Sequence, residues 1–156
     1  APTAKDGEFP IIFTDIQEST KLWSEATEDM KISLNLHNVL LRKLLEEYQG
    51  YEIKTQGDSF MVAFKDYLNA IRWMLRSQSE LMKLDWPTNV MNFKETAFKV
   101  DKFGNIIFRG VRVRMGTAIC NPDVHKDNVG KLDYFGNSVN LSARVASAAN
   151  GGQIII

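Results

Sequence analysis

Two aspartates stand where buried strands are expected to end. Asp15 follows the apolar run from Phe9 to Phe13, and Asp58 lies beside Gly57 in a turn between two alternating segments. A loop at a strand end can expose a side chain on a rigid frame. Two such carboxylates could hold a pair of divalent ions ~3.5–4 Å apart for phosphoryl chemistry, and Mg²⁺ suits them because it binds a few carboxylates plus substrate phosphates. For either aspartate alone, a structural role is favoured over metal binding: Asp15 would cap the next helix, and Asp58 would shape the hairpin turn.

The segment from Thr14 to Thr20 is a second candidate for phosphate chemistry. Because it directly precedes a predicted helix, it could direct free backbone N–H groups at an anion. It lacks the Gly-x-x-x-x-Gly-Lys pattern of a P-loop, so the segment does not by itself specify a phosphate site.

Two further pairs of residues could complete a nucleotide site. Asn140 and Arg144 share one face of the last predicted helix. Arginine could stabilise charge on a transferring phosphoryl group, and asparagine could hold a ribose oxygen. Lys54 and Asp133 match an adenine edge, which offers N1 as acceptor and the N6 amine as donor, whereas the guanine carbonyl would mismatch the aspartate. Without context, the first pair is a solvated helix face and the second is two surface charges.

Composition excludes several other functions. The 156 residues fit a single domain, with 44% hydrophobic and 24% charged residues as in ordinary globular proteins. The 19 basic and 19 acidic residues cancel, so neither a nucleic-acid partner nor membrane contact is expected. No apolar run reaches the ~20 residues of a membrane span, and the first residues do not form a signal peptide.

The histidines and the single cysteine are not expected to bind metal. His37 and His125 have no partner cysteines and no His-x-x-x-His spacing. Cys120 cannot form an internal disulfide, which fits a reducing compartment, and we expect it to be buried.

The elements that position these residues follow from periodicity. Apolar runs and alternation predict strands over 9–13, 51–56, 59–64 and 111–119, a further hairpin within 98–108, and a final strand after the turn at Gly151-Gly152. Helical spacing predicts helices over Glu28–Tyr48, from Asp66 to Trp86-Pro87, and up to Ala149. The polar stretch from Asn121 to Lys131 is predicted to be a loop or arm. The order β-α-β-β-α-β is typical of a ferredoxin-like α+β sheet with helices on one face, in which the first strand and the first hairpin can be neighbours.

Three blocks of sequence together resemble the catalytic domain of class III nucleotidyl cyclases. They are residues 13–20 (FTDIQEST), 51–64 (YEIKTQGDSFMVAF) and 133–144 (DYFGNSVNLSAR). Their order and spacing match throughout, so the resemblance covers nearly the whole chain. The sequence is most similar to the adenylyl cyclases of fungi and kinetoplastid protozoa, which carry the same Tyr-Glu-x-Lys-Thr-x-Gly-Asp run and a Trp-Pro after the second helix.

The resemblance implies a role for each candidate residue. The matching positions are two metal-binding aspartates (Asp15, Asp58), a backbone-carbonyl metal contact (Ile16), an adenine-selecting pair (Lys54, Asp133), a ribose-orienting asparagine (Asn140) and a transition-state arginine (Arg144). The segment Gln17, Glu18, Ser19 and Thr20 is expected to contact the substrate. Two Mg²⁺ or Mn²⁺ ions per site are implied.

The implied function is that of an adenylyl cyclase, which converts ATP to 3′,5′-cyclic AMP and pyrophosphate. Because metals and base-selecting residues come from opposite subunits in the family, a head-to-tail homodimer is implied. Residues 1–156 are expected to form a single catalytic domain, truncated at its C-terminal end before the family's triphosphate-contacting lysine. We expect it to lie on the cytoplasmic side, in a parent protein that could be membrane-associated or transmembrane.

One alternative function stays open, and the sequence argues against two others. A nucleotide-binding or dimerisation module without turnover is the open one, although degenerate cyclase domains typically lose a metal aspartate or the Asn–Arg pair, and none is missing here. A diguanylate cyclase shares the ferredoxin-like frame, but Gly151-Gly152 is followed by Gln153 rather than by an acidic pair. A guanylyl cyclase would need different residues at positions 54 and 133.

Overall fold

The computed structural model describes residues 1–156. The strands are β1 (Phe9–Ile16), β2 (Tyr51–Gln56), β3 (Ser59–Ala63), β4 (Lys99–Val100), β5 (Ile106–Phe108), β6 (Val113–Cys120), β7 (Asp123–Lys126), β8 (Leu132–Phe135) and β9 (Ile154–Ile155). The helices are α1 (Ser19–Glu25), α2 (Thr27–Glu47), α3 (Tyr67–Leu81), α4 (Thr88–Met91) and α5 (Asn137–Ala148).

The central sheet has five strands in the order β2-β3-β1-β6-β9. β1 lies in the middle, antiparallel to β3 and β6, while β9 pairs with β6 in parallel. The sequence of β1 suits this place, because Phe9, Ile11 and Ile12 are all buried although neighbouring side chains point to opposite faces. The expectation that the first strand and the first hairpin are neighbours in the sheet is confirmed.

One face of the sheet packs against α2 and α3 and carries the larger core. Ile12 and Val62 project from the strands into a cluster of 20 buried apolar residues, which also includes Leu41, Leu44 and Trp73 from the helices. The Trp73 indole N–H donates to the Leu41 carbonyl, 3.2 Å away. Burial of each large apolar side chain contributes about 1.5–3 kcal/mol, so this layer holds β1 and β3 as a stable frame.

The opposite face is covered by α5 and the β7–β8 hairpin. A Cβ atom on Gly116 would lie 2.2 Å from the backbone nitrogen of Ala146, so α5 rests directly on β6 at this glycine. Ser142 reinforces the contact, since its hydroxyl donates to the Ile11 carbonyl and accepts from the Ala118 amide at 3.2 Å. The missing side chain of Gly116 is what permits this close approach.

The predicted ferredoxin-like α+β fold is confirmed. The order β1-α2-β2-β3-α3-β6 is the βαββαβ arrangement, and its two helices lie on one face. α5 adds a layer on the other face that the prediction did not include. The predicted N-terminus of α3 is also confirmed, because the Asp66 carboxylate accepts from the Asn69 amide at 2.8 Å.

Two local predictions are wrong. The predicted loop from Asn121 to Lys131 contains strand β7, which pairs with β8. Its turn is closed by Asp127, whose Oδ1 accepts from the Val129 and Lys131 amides at 2.9 and 2.8 Å. An exposed polar ribbon lacks the apolar alternation that identifies strands, so periodicity missed it. The helix opened by Asp66 ends at Leu81 rather than at Trp86, and the short α4 follows.

The expected burial of Cys120 is confirmed. None of the helices combines the length and the apolar character needed to cross a membrane.

Candidate functional site

A polar cavity of about 460 Å³ opens where β1 ends. It brings together the predicted metal-binding residues and the predicted phosphate-facing segment apart from Thr14: Asp15, Ile16, Gln17, Glu18, Ser19, Thr20 and Asp58. Ser59, Arg114, Ala149 and Asn150 complete its lining. The two aspartates, which are separated by the whole of α1 and α2 in sequence, therefore share one cavity.

Asp58 is fixed in this cavity by a bond to β1. It follows Gly57, whose φ of +60° provides the left-handed conformation of the β2–β3 turn. The Asp58 carboxylate then accepts a hydrogen bond from the Ile16 backbone amide, with Oδ2 2.8 Å from the nitrogen. Asp58 is thus more than a turn residue, because it ties the hairpin to the end of β1 beside Asp15.

Asp15 is held by an arginine on the neighbouring strand. Arg114 faces Asp15 directly in the β1–β6 register, and its Nε and Nη2 donate to the two carboxylate oxygens at 2.6 Å each. Hydrogen bonding to Asp15 raises the pKa of Arg114 above its ordinary value. The structure does not support Asp15 as a helix cap, because Glu18 occupies the N-cap position of α1.

Arg114 is the site residue that sequence reasoning missed. The alternation of 111–119 indicated that Arg112 and Arg114 lie on one face of a strand, but not which residue of β1 they would meet. That partner depends on the strand register, which joins residues 99 positions apart.

The loop before α1 differs from its prediction in one respect. The sequence predicts that the segment from Thr14 to Thr20 precedes the helix, but Ser19 and Thr20 lie inside α1, and no side-chain cap bond is present. Glu18 stands at the N-cap with a φ of +56°, an uncommon left-handed conformation for a residue other than glycine. The amides of the first turn of a helix have no intrahelical acceptor, and Ser19 and Thr20 of this turn line the cavity.

The donor set of the cavity fits a divalent cation that is shared with a phosphate group. No group of three or more histidine, cysteine, aspartate or glutamate residues is placed to hold a metal ion. Asp15 and Asp58 alone would leave most positions around a cation for other oxygen ligands. Mg²⁺ is typically bound this way, by one or two carboxylates plus substrate phosphates and water.

Lys54 and Asp133 meet each other away from this cavity. The Lys54 ammonium lies 3.1 Å from both carboxylate oxygens of Asp133, and it also lies 5.6 Å from the ring centroid of Phe135. Asp133 accepts from the Tyr134 amide at 2.8 Å, which orients its carboxylate. Because the Lys54 side chain is 53% exposed, the pair is accessible to a ligand at the surface.

Asn140 and Arg144 lie on the exposed face of α5. Neither lines the cavity that holds Asp15 and Asp58. Arg144 takes part in none of the ion pairs of the structure, so its guanidinium is available to an external group. One chain therefore presents three separate sets of candidate residues: the cavity, the Lys54–Asp133 pair and the α5 pair.

This combination of fold and site defines a cyclase-type catalytic domain. Residues 2–156 match the family model of the adenylate and guanylate cyclase catalytic domain. The chain belongs to that family.

Its relatives are much longer proteins. The chain is 41% identical over 150 residues to an adenylate cyclase of Mycosarcoma maydis, covering 96% of this chain but 6% of that protein. It is 36% identical over 176 residues to a receptor-type adenylate cyclase of Trypanosoma brucei brucei, covering 100% of this chain and 14% of that protein. A solved structure of a Trypanosoma brucei adenylate cyclase in its monomeric state matches with a TM-score of 0.87 and 32% identity, over 99% of this chain and 75% of that one.

Proposed function

We propose that this chain is the catalytic domain of an adenylyl cyclase, which forms cyclic AMP and pyrophosphate from ATP. The observation that carries the proposal is the convergence of Asp15 and Asp58 with the 17–20 loop in one polar cavity, in a chain of the cyclase family. Its relatives from fungi and trypanosomes are named adenylate cyclases.

Asp15, Asp58 and the Ile16 carbonyl are the residues that would hold two divalent cations, Mg²⁺ or Mn²⁺. Such cations, when bound, activate the ribose hydroxyl and neutralise the charge of the departing pyrophosphate. The residues of this chain would position these cations. The hydrogen bond from the Ile16 amide to Asp58 fixes the Asp58 carboxylate against the end of β1. The N-terminal amides of α1 and the side chains of Ser19 and Thr20 would orient the triphosphate from the same cavity.

Lys54 and Asp133 would select adenine. The lysine would donate to the acceptor N1, and the aspartate would accept from the N6 amine. Guanine has a carbonyl at position 6, whose oxygen would face the Asp133 carboxylate. Neither group can donate a hydrogen bond to the other. Lys54 Nζ lies 3.1 Å from both carboxylate oxygens of Asp133, and this closeness supports a shared role toward one base edge.

Asn140 and Arg144 would act on the reacting end of the nucleotide. Asn140 would hold the ribose so that its 3′-hydroxyl is aligned with the α-phosphorus, and Arg144 would stabilise the charge that builds on the phosphoryl oxygens. A ribose held in this alignment makes the attack intramolecular, which accounts for much of the rate enhancement that positioning can give.

A head-to-tail homodimer would assemble these sets. In one protomer the Lys54–Asp133 pair and the α5 pair lie outside the cavity of Asp15 and Asp58, so a complete site requires a second chain. The exposure of Arg144 and of the Lys54 side chain leaves both free for such a partner. We also propose a membrane-associated parent with this domain on the cytoplasmic side, and the receptor-type name of one relative supports the membrane association.

The direct test is formation of cyclic AMP from ATP with Mg²⁺ or Mn²⁺ over a range of protein concentrations. We expect the specific activity to rise with concentration as protomers pair. Asp58→Asn is the matched inactive control, because asparagine can still accept from Ile16. Loss of the signal in this variant would exclude a contaminating cyclase.

A non-catalytic nucleotide-binding or dimerisation module is the second candidate. The observation that favours it is the separation of the three residue sets within one chain. ATP binding and dimerisation without cyclic AMP at any concentration would support this module and contradict the cyclase proposal.

A further inference from the structure

Within the candidate metal site, the carboxylate of Asp15 already has a cationic partner. Arg114 Nε and Nη2 each lie 2.6 Å from a different oxygen of that carboxylate, which is the bidentate geometry that arginine forms with carboxylates. Asp58 has no such partner, since it accepts only the Ile16 amide. The two carboxylates of the cavity are therefore not equivalent toward an incoming cation.

The pair is built into the sheet rather than formed by chance contact of flexible surface chains. Asp15 and Arg114 are directly opposite in the antiparallel β1–β6 ladder, where cross-strand side chains lie close together. Their side chains are 33% and 30% exposed, and α5 packs on the same two strands at Gly116. The surrounding structure therefore keeps the guanidinium next to Asp15.

We propose that Arg114 competes with divalent cations for Asp15 and thereby lowers the cation affinity of the domain before nucleotide binds. This inference rests on the proposed role of Asp15 as a cation ligand. A carboxylate has about four lone-pair positions, and the guanidinium uses one on each oxygen. A cation at Asp15 must either displace these hydrogen bonds or bind beside a fixed positive charge, and both cost affinity.

The local field strengthens this competition. Arg114 donates to Asp15, and it shares the cavity with the carboxylates of Asp58 and Glu18. The guanidinium thus occupies the same negative region that would attract a divalent cation. Arg114 is a positioning residue in this scheme, since it acts on cation loading through Asp15.

Equilibrium binding of Mn²⁺ to the nucleotide-free domain, followed by electron paramagnetic resonance, tests the proposal without any turnover. Arg114→Gln should tighten Mn²⁺ binding by about 10-fold or more, since the bidentate guanidinium contact and its positive charge are lost. Arg114→Lys keeps the charge but loses the bidentate geometry, so we expect a smaller gain. Thermal unfolding of each variant shows that it is folded.

Arg42→Gln is the matched control. Arg42 also makes a bidentate pair, with Glu52 at 2.9 Å through both contacts, but this pair does not line the cavity. Its replacement should leave Mn²⁺ affinity unchanged. In the Asp15→Asn background, Arg114→Gln should lose most of its effect, because the carboxylate that is contested no longer exists.

Several outcomes separate this inference from the proposed function. Equal or weaker Mn²⁺ binding by Arg114→Gln, or an undiminished gain in the Asp15→Asn background, would overturn the inference while leaving the cyclase proposal intact. A gain of the expected size in a domain that forms no cyclic AMP would support the inference and contradict the cyclase. If neither wild type nor Arg114→Gln binds Mn²⁺, the cation role of Asp15 is wrong and the inference falls with it.

Discussion

The carboxylate of Asp58 accepts a hydrogen bond from the Ile16 amide, 42 residues earlier in the chain, with Oδ2 2.8 Å from the nitrogen. This bond joins the β2–β3 turn to the end of β1 at the point where the candidate metal ligands meet. The same carboxylate therefore has a structural task beside the chemical one that we propose for it, and two substitutions should separate them.

We expect Asp58→Asn to abolish cyclic AMP formation, by at least about 100-fold, with little effect on folding. The amide oxygen of asparagine can still accept from Ile16, but the negative charge that a cation needs is gone. Asp58→Ala should lose activity equally and also lower the free energy of unfolding by about 1.5–3 kcal/mol, the contribution of a hydrogen bond to a charged group. Urea titration and a cyclic AMP assay measure the two effects. Full activity in Asp58→Asn would refute the metal assignment.

The location of Asp58 and Asp15 was predictable because both follow from local patterns. An apolar run ending in Asp15 predicts a strand end, and Gly57-Asp58 between alternating segments predicts a hairpin turn. The β-α-β-β order then allows β1 and β3 to be neighbours, which the register from Ile11 to Thr14 confirms. The cavity that contains both aspartates is a consequence of these features.

The partner of Asp15 was not predictable from the same patterns. Arg114 meets Asp15 only because β6 pairs with β1 in one register, and a shift by one residue would turn Arg114 to the other face. Local sequence does not fix a register between strands so distant in the chain. The position of α5 was missed for a related reason, since its contact with Gly116 depends on close backbone approach and not on hydrophobic periodicity.

The Lys54–Asp133 pair should determine base selection. The double variant Lys54→Glu with Asp133→Cys should reduce the preference for ATP over GTP, measured as the ratio of kcat/KM values, by about 10-fold or more. Glutamate can accept from guanine, and removal of the aspartate removes the mismatch with the guanine carbonyl. Lys131→Glu, which also alters a lysine beside an aromatic ring of this region, is the control that should retain the ATP preference. Unchanged selectivity in the double variant would contradict the base-reading role.

Arg144→Ala should lower kcat by about 100-fold while leaving the affinity for 3′-deoxy-ATP nearly unchanged. This nucleotide lacks the attacking hydroxyl, so its binding reports the ground state alone, whereas the guanidinium is expected to act on charge that develops in the transition state. The exposed position of Arg144 on α5 predicts no change in Tm. Arg72→Ala, at an exposed arginine of α3, should change neither quantity. A loss confined to nucleotide affinity would argue against the proposed role.

His37 should make the domain less stable below neutral pH. The side chain is fully buried in the core, its ring packs edge-on against Phe60 with centroids 5.6 Å apart, and burial lowers its pKa below the ordinary value of 6.5. As the pH falls below the ordinary pKa of 6.5, His37 binds a proton in the unfolded chain but stays neutral in the folded chain. The free energy of unfolding should therefore decrease by up to about 1.4 kcal/mol per pH unit, until the pKa of the folded state is reached.

Urea titrations of wild type and His37→Leu, between about pH 7.5 and about pH 5.5, isolate this contribution. Other groups titrate alike in both proteins, so the difference between their curves belongs to His37. Leucine cannot bind a proton, and it also removes the buried Nε2 atom that has no hydrogen-bond partner. The stability of the variant should consequently fall less steeply with acid, while the exposed His125→Gln control should follow wild type. Parallel curves for wild type and His37→Leu would show that the buried histidine is not the source of the acid sensitivity.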